Sequence, residues 1–565
     1  MMDFLSLLIG YIGREKDLAR EETERRKTLS RDEKIDAGLL LPGLRVLSSV
    51  SGPDSTECVF RFSADRMRLR TGERVSLTDP SGTALRGTIL ETGFDTITVS
   101  LGKGSPDASV PWDAESLDSP LYDGFLSALS SIGESDPGAR FIEILSGGAA
   151  PQDAPPFGSD PAVLALAGGY RGELDGSQMD ALLAAAGQPS LHLVQGPPGT
   201  GKTRVLSSLA SALSRAGMDT AVVAKTHQAV NNALNAVLRR SPELTVVKIG
   251  QLTRSEGLSP DVLTFDTFGS YLSWRKASRR RGRSSDVVGM TLNAAAVNMC
   301  LRNSGFKPQS VLVDEASQIP VAEAAMLGAS GAVSVVFFGD DRQMPPIFYP
   351  ELEGDPLSES VFSLVRRLHP GHLSVLGVSY RMNDEICSLV GSRFYEPFGI
   401  HIEPSAEAAP RRMVLDGDSA DERISGLFRE GRSSVVRLDV SGSGSWRDCN
   451  PEEAAFAAAV AGYAMRCGVS ASDIAVVTPF RRQVALVRAA LDRDGWRGKD
   501  CPLVDTVERL QGQDVRLIIL SFSVTDPVYY ASVKDFLGDR NRLNVMVSRA
   551  REKVVVLATG QAGIL

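Results

Sequence analysis

Between the apolar run LHLVQ and an apolar-periodic stretch beginning at Val205 lies Gly-x-x-x-x-Gly-Lys-Thr, from Gly196 to Thr203. These residue types at this spacing hold phosphate. Glycine lacks the Cβ that would keep the backbone away, so successive N–H groups can close around phosphate oxygens. A helix opening at Lys202 points its positive end at the same oxygens. Lys202 has the reach for β- and γ-phosphates, and Thr203 can ligate Mg²⁺. Gly196, Pro197, Pro198, Gly199, Thr200, Gly201, Lys202, Thr203 and Arg204 are therefore the expected nucleotide-binding residues, with ATP and Mg²⁺ as cofactors.

A second constellation completes phosphoryl chemistry. VLVDEASQ (residues 311–318) places Asp314 and Glu315 where an apolar strand ends. Asp314 can hold the metal with Thr203, and Glu315 can activate water as general base. VVFFGDDRQMPP (335–346) ends another apolar strand, and Gln343 beyond it can orient water or sense the γ-phosphate. Arg381 in LGVSYRMNDEI and Arg549 in RLNVMVSRAREK lie far downstream. Phosphoryl transfer needs positive charge on the γ-phosphate. Arginines on a separate domain would make catalysis depend on cleft closure.

The elements that must position these groups can be read from pattern. The chain of 565 residues is too long for one core. Residues 1–40 read as a helical stalk: FLSLLIGYIG supplies a buried face, and the charged stretch after it a solvated one. It is too short for a membrane span and lacks secretory features. Residues 41–117 hold short, β-branched, partly alternating runs separated by turns such as DPSG, the pattern of a small antiparallel barrel or sheet. Residues 118–162 return to helix and end in a Gly/Ala/Pro-rich linker. Strands then alternate with helices through 163–368 and again through 369–565, the signature of two parallel α/β domains. The second strand set starts near residue 373 with HLSVLGVS, and 401–434 reads as an irregular insertion. The fold class expected is α/β, with two tandem P-loop-type domains, an N-terminal stalk and a barrel.

Composition sets limits. With 61 basic and 69 acidic residues, the net charge is −8, so any nucleic-acid contact must be local. The six cysteines include no Cys-x-x-Cys pair, which argues against zinc, an iron–sulfur cluster and a disulfide framework. A reducing cytoplasmic setting, no membrane and a monomer are expected. WRKASRRRGR (274–283) could neutralise phosphates and stack a base on Trp274. It reads equally as a solvated loop.

In this order, the motifs resemble a superfamily 1 helicase. They are most similar to the Upf-like group, superfamily 1B, which includes the nonsense-mediated-decay, immunoglobulin-mu-binding and Dna-two-type helicases. The matching blocks run from LDGSQMDAL (174–182) to SRAREKVVVLATG (548–560). The resemblance implies two RecA-like domains and an accessory barrel on a stalk. It implies adenine recognition by Gln178, nucleotide and strand contact through Gly512 and Gln513, and γ-phosphate contact by Arg381 and Arg549. It implies that Thr226, His227, Gln228, Thr291, Pro345, Thr478 and Pro479 grip single-stranded DNA or RNA without sequence preference. It also implies 5′-to-3′ travel. The sequence departs from the family at Ser379 (usually Gln), His227 (Asn), Asn231 (Asp), Asp514 (Glu) and Ser548 (Thr); none removes a catalytic group. Two other functions fit the residues: an ATPase that remodels protein–nucleic acid complexes without unwinding, and a binding module gated by ATP.

Overall fold

The computed structural model describes residues 2–36, 39–51, 56–62, 74–92, 96–102, 104–117, 122–132, 136–152, 160–187, 189–250, 255, 257–279, 285–300, 305–417, 419, 421–440, 444–510 and 514–558. Contacts divide the chain into two units. The first comprises 1–21, 120–380 and 395–403; the second comprises 22–119, 381–394 and 404–565.

The first unit is built on eight strands. In chain order they are β7 (Leu191–Gln195), β8 (Thr220–Ala224), β9 (Val246–Ile249), β10 (Leu263–Phe265), β11 (Val287–Thr291), β12 (Ser310–Asp314), β13 (Ser334–Gly339) and β14 (Leu373–Val375), after six barrel strands described below. Their spatial order is β10-β9-β11-β8-β12-β13-β7-β14, and every pairing is parallel. Every residue of β7, β8, β12 and β13 is buried. Helices cover both faces of such a sheet, so its strands are continuously apolar instead of alternating. Two apolar clusters result, one on each side. One contains Leu193, Val223, Val313 and Phe337; the other contains Val194, Val222, Leu312 and Val336.

Three sequence expectations change here. The strand in HLSVLGVS pairs with β7, Leu373 opposite Leu193, so it closes the edge of the first sheet and does not begin the second. Alternation of strand and helix cannot say which sheet a three-residue strand joins; hydrogen-bond partners decide it. Helices Tyr122–Ser130 and Asp136–Leu145 are part of the first core through Phe125, Leu129, Phe141 and Ile142. The stalk helix Met2–Thr28 buries Leu8, Tyr11 and Ile12 in that core. Its charged stretch also forms ion pairs, Arg14 with Asp355 at 2.6 Å and Lys16 with Asp123 at 2.5 Å.

Trp274 is the third. It lies on helix Phe268–Arg279, half-buried, with its ring centroid 5.5 Å from Phe265 and 6.3 Å from Tyr271. The spacing of Phe268, Tyr271 and Arg275 puts one helix face inward, and the Trp274 ring packs beside it with part of its surface left exposed. Arg275 is buried between Asp219 and Asp286, with Nε 3.0 Å from Asp286. Residues 280–284 lie outside the described residues. Removing Arg275 would leave Asp286 buried without this cation and Asp219 with Arg279, which lies 2.6 Å from it. Arg275→Leu should therefore lower stability by about 3–5 kcal/mol, read as a shift in urea midpoint; a shift under 1 kcal/mol would show the cluster is solvated.

In the second unit, β1 (Leu40–Ser51), β2 (Thr56–Arg61), β3 (Arg74–Thr78), β4 (Ala84–Thr92), β5 (Thr96–Leu101) and β6 (Trp112–Ser116) form a closed antiparallel barrel, ordered β1-β2-β5-β4-β3-β6. Alternate residues face in, as the burial of Ile97, Val99 and Leu101 along β5 shows. Trp112, Phe60 and Cys58 fill the interior. Closure removes the free edges of an open sheet.

Also in this unit, β17 (Val435–Leu438), β18 (Ile474–Val477), β19 (Leu503–Asp505), β20 (Val515–Ser521) and β21 (Ala550–Leu557) form a parallel sheet ordered β17-β21-β20-β18-β19. Outside this sheet, two short strands, β15 (Val378–Ser379, in the first unit) and β16 (Glu403–Pro404, at that unit's end), pair with each other. The stretch 401–434 is not a loose insertion: Met413, Ile424, Leu427 and Phe428 are buried in the second sheet's core. Four apolar side chains dispersed among charges gave no helical or strand period, yet burial of each is worth about 1.5–3 kcal/mol.

Glu453 lies in the same core, fully buried. Its Oε1 accepts from Ser521 Oγ at 2.8 Å and from the Ser523 N–H at 2.9 Å. Burial pushes its pKa up to about 7. The folded state thus holds this proton more tightly than the unfolded chain. Its contribution is fully present below the ordinary carboxylate pKa and is lost as pH rises through about 7. Between those limits wild-type Tm should fall with rising pH more steeply than that of Glu453→Gln; parallel curves would place the carboxyl in water.

Candidate active site

The phosphate loop joins β7 to helix Lys202–Arg215. Gly199 and Gly201 have φ of +76° and +86°, a region in which a Cβ is strained. Gly196 has ordinary φ but no spare room: a Cβ there would lie 2.2 Å from Lys202 Cγ. Thr200 Oγ1 donates to the Pro197 carbonyl at 2.7 Å, and Lys202 Nζ donates to the Gly196 carbonyl. The lysine is thus folded over its own loop. Thr203 sits in the first helical turn. Arg204, exposed, donates to the Glu173 carbonyl.

Neighbouring segments brace this loop. Gln178 is fully buried. Its Nε2 donates to the Thr200 carbonyl at 2.9 Å, while its Oε1 accepts from the Asp175 N–H at 3.3 Å. Asp175 accepts in turn from the Gln178 N–H, completing a capping box that starts helix Gly176–Ala186. Just after β14, Leu376 N–H donates to the Gln195 carbonyl, Ser379 Oγ to the Pro198 carbonyl at 3.0 Å, and Tyr380 N–H to the Gly199 carbonyl. The Tyr380 hydroxyl donates to Asp175 at 2.9 Å. Ser379, where a glutamine was the family expectation, reaches the loop through its short hydroxyl.

Asp314 ends β12, two strands from β7 in the sheet. Burial pushes its carboxyl up to about 7; Glu315 beside it adds to the rise, and Lys202 opposes it. Glu315 has φ +53°, an uncommon left-handed backbone for a non-glycine residue and a frequent signature of functional sites. Its N–H donates to Asp314 Oδ1 at 3.0 Å.

β13 ends beside β7 and delivers Asp340. Gln343 Nε2 donates to Asp340 Oδ2 at 2.7 Å, and Gln195 Nε2 donates to Oδ1 at 3.2 Å. Asp341 pairs with Arg366 at 2.6 Å and Arg342 at 3.0 Å. The structure thus gathers Gln178, the phosphate loop, Asp314, Glu315 and Gln343 in one unit. Sequence reading missed Gln195, Asp175, Tyr380 and Tyr395. The D-x-x-Q spacing at Asp175–Gln178 was a legible signal; the tyrosines had none.

Of the expected strand-contacting residues, Thr226 and Gln228 are exposed and His227 half-buried at the start of helix His227–Arg240, where Thr226 is the N-cap. Thr291, buried, caps helix Leu292–Val297 by accepting from Ala294 N–H. Pro345 is exposed. In the second unit, Thr478 is buried and Pro479 half-buried after β18. Arg381 donates to the Ser548 carbonyl at 3.1 Å, and Arg549 is buried at the end of helix Arg540–Ser548. Gly512 and Gln513 lie outside the described residues. Among the described residues none of the six cysteines is in a disulfide, and no group of three or more His, Cys, Asp or Glu is placed to hold a metal.

Fold and site together define a P-loop nucleoside triphosphatase in which a second parallel sheet follows the first along the chain. An AAA domain model matches residues 173–355 and another AAA domain model matches 357–561. The chain is 27% identical over 397 residues to the DNA replication ATP-dependent helicase/nuclease JHS1 of Arabidopsis thaliana, covering 68% of this chain and 28% of that one. It is 26% identical over 418 residues to the ATP-dependent helicase NAM7 of Saccharomyces cerevisiae, covering 68% and 41%. An arterivirus nonstructural protein 10 (helicase) structure is 12% identical with TM-score 0.41, covering 95% of this chain and 82% of that one. With these matches the chain is similar to superfamily 1 helicases of the Upf-like group. It spans well under half the length of these curated relatives.

Proposed function

We propose that this protein is an ATP-dependent helicase or translocase acting on single-stranded nucleic acid. The observation that carries the reading is the convergence, at the carboxyl ends of β7, β12 and β13, of a glycine cradle, a buried carboxylate and a carboxylate–amide hub. Asp314 fits a divalent cation because burial makes its charge costly until a cation compensates it.

In this reading Lys202 leaves the Gly196 carbonyl for phosphate, and Gln178 recognises adenine. Thr203 and Asp314 would hold Mg²⁺, which supplies positive charge to the β- and γ-phosphate oxygens when bound. Glu315 takes a proton from the attacking water and Gln343 orients it. Arg381 and Arg549 supply further positive charge to the γ-phosphate, and Gly512 and Gln513 contact nucleotide and strand. Thr226, His227, Gln228, Thr291, Pro345, Thr478 and Pro479 contact backbone or stacked bases, so binding is non-sequence-specific. Travel is 5′-to-3′, and the setting is cytoplasmic, where six thiols stay reduced.

The test is ATPase rate with matched single-stranded DNA and RNA, combined with displacement of a strand from forked and blunt duplexes. Stimulation together with forked displacement is expected. Stimulation without displacement would replace the helicase with a remodelling ATPase. Strand grip that responds to ATP without turnover would leave a gated binding module. Affinity for single strands should also fall steeply as salt rises, because bound strands release counterions; a salt-independent affinity would exclude backbone contact.

A further inference from the structure

Tyr395 is fully buried, and its hydroxyl donates to Asp340 Oδ2 at 2.6 Å. That oxygen also accepts from Gln343 Nε2 at 2.7 Å, while Gln195 Nε2 donates to Oδ1 at 3.2 Å and to Asp341 at 2.8 Å. Asp340 itself is buried. A buried carboxylate receiving three side-chain donors is a rigid hub, because each donor limits where the others can lie. Gln343 is tied to the hub by its amide nitrogen, which fixes the amide's orientation and leaves its carbonyl oxygen as the acceptor for water.

We propose that Tyr395 is a positioning residue for ATP turnover, acting through Asp340 on Gln343; the inference rests on the ATPase reading above. The Tyr395 hydroxyl reaches the site through Asp340. It ends a π-helical turn, Gly391–Tyr395, that continues directly from helix Asp384–Val390. Wide turns of this kind recur at functional sites, since the extra residue per turn re-aims one side chain. Here the side chain that ends the turn is the tyrosine. Without its hydroxyl, Asp340 would have a free lone pair, and the Gln343 amide could rotate about the carboxylate. A misplacement of about 1 Å in a positioning group costs up to roughly 100-fold in rate.

Tyr395→Phe removes the hydroxyl and keeps the ring, so packing is preserved. In the full chain with single-stranded nucleic acid, kcat should fall on the order of 10-fold while KM for ATP and the affinity for a non-hydrolysable ATP analogue stay within about twofold. A merely structural role would move melting temperature and leave kcat of the folded fraction intact. The double variant Tyr395→Phe/Gln343→Ala should be no slower than Gln343→Ala alone, since both act on one water. A folded Tyr395→Phe with wild-type kcat, or additive losses in the double variant, overturns the proposal while leaving the ATPase reading standing. A wild-type chain that does not hydrolyse ATP overturns both.

Discussion

Glu315→Gln should abolish ATP turnover, lowering kcat by about 10³-fold or more, while ATP affinity stays within a few-fold of wild type. The physical reason is the split of labour at the end of β12. Asp314 is buried and its carboxyl is pushed up to about 7, so it responds most to an added cation. Glu315 is held by a left-handed backbone turn immediately after the strand, half-exposed, where it can meet water. An amide has the same shape but cannot accept the proton, and general-base contributions together with lost electrostatic preorganisation account for the size of the effect. Single-turnover measurement with excess enzyme separates chemistry from release. Turnover within tenfold of wild type would move the base elsewhere, and a lost ATP affinity would make Glu315 a binding group.

Gly196→Ala should weaken ATP binding by about 10²-fold or more, with little change in stability. The alanine Cβ would lie 2.2 Å from Lys202 Cγ and 3.0 Å from Thr200 Oγ1. The backbone there can accept a Cβ, since Gly196 has no positive φ, so folding is spared; the space it fills is the one the lysine stem occupies. Lys202 must then leave the loop, and the phosphate oxygens lose their cation. Isothermal titration with ATP and Mg²⁺ reads the effect, and a melting curve checks the fold. Gly201→Ala should behave differently: φ is +86° and the added Cβ would press on Gln178 Nε2 at 2.5 Å, so it should cost stability as well as binding. Unchanged ATP affinity in Gly196→Ala would show that the lysine stem has room to move.

Much of this was legible because the chemistry is local in sequence. The phosphate loop, the Asp314–Glu315 step and the Gly339–Gln343 turn each place their groups within a few residues of a strand end, and strand ends are marked by runs of apolar residues. The antiparallel strands before residue 117 were legible because one wet face and one dry face force alternation, while their closure into a barrel is set by strand pairing. Where burial lacked a period, pattern reading failed. Met413, Ile424, Leu427 and Phe428 enter a core from irregular chain, and they read as insertion. Trp274 sits among arginines and read equally as a stacking platform or part of a solvated loop; its packing beside Phe265 and Tyr271 on a helix left no trace in that charge run.

The sequence by itself determined which groups can bind and activate a phosphate, because glycine, lysine and carboxylate act through their own chemistry at fixed short spacing. Only the tertiary structure decided which of them share a hub. Tyr395 reaches Asp340 across 55 residues, Ser379 reaches Pro198 across 181, and β14 pairs with β7 residues 180 positions away. Such contacts depend on strand order and side-chain direction, and neither leaves a periodic trace in the order of residues along the chain.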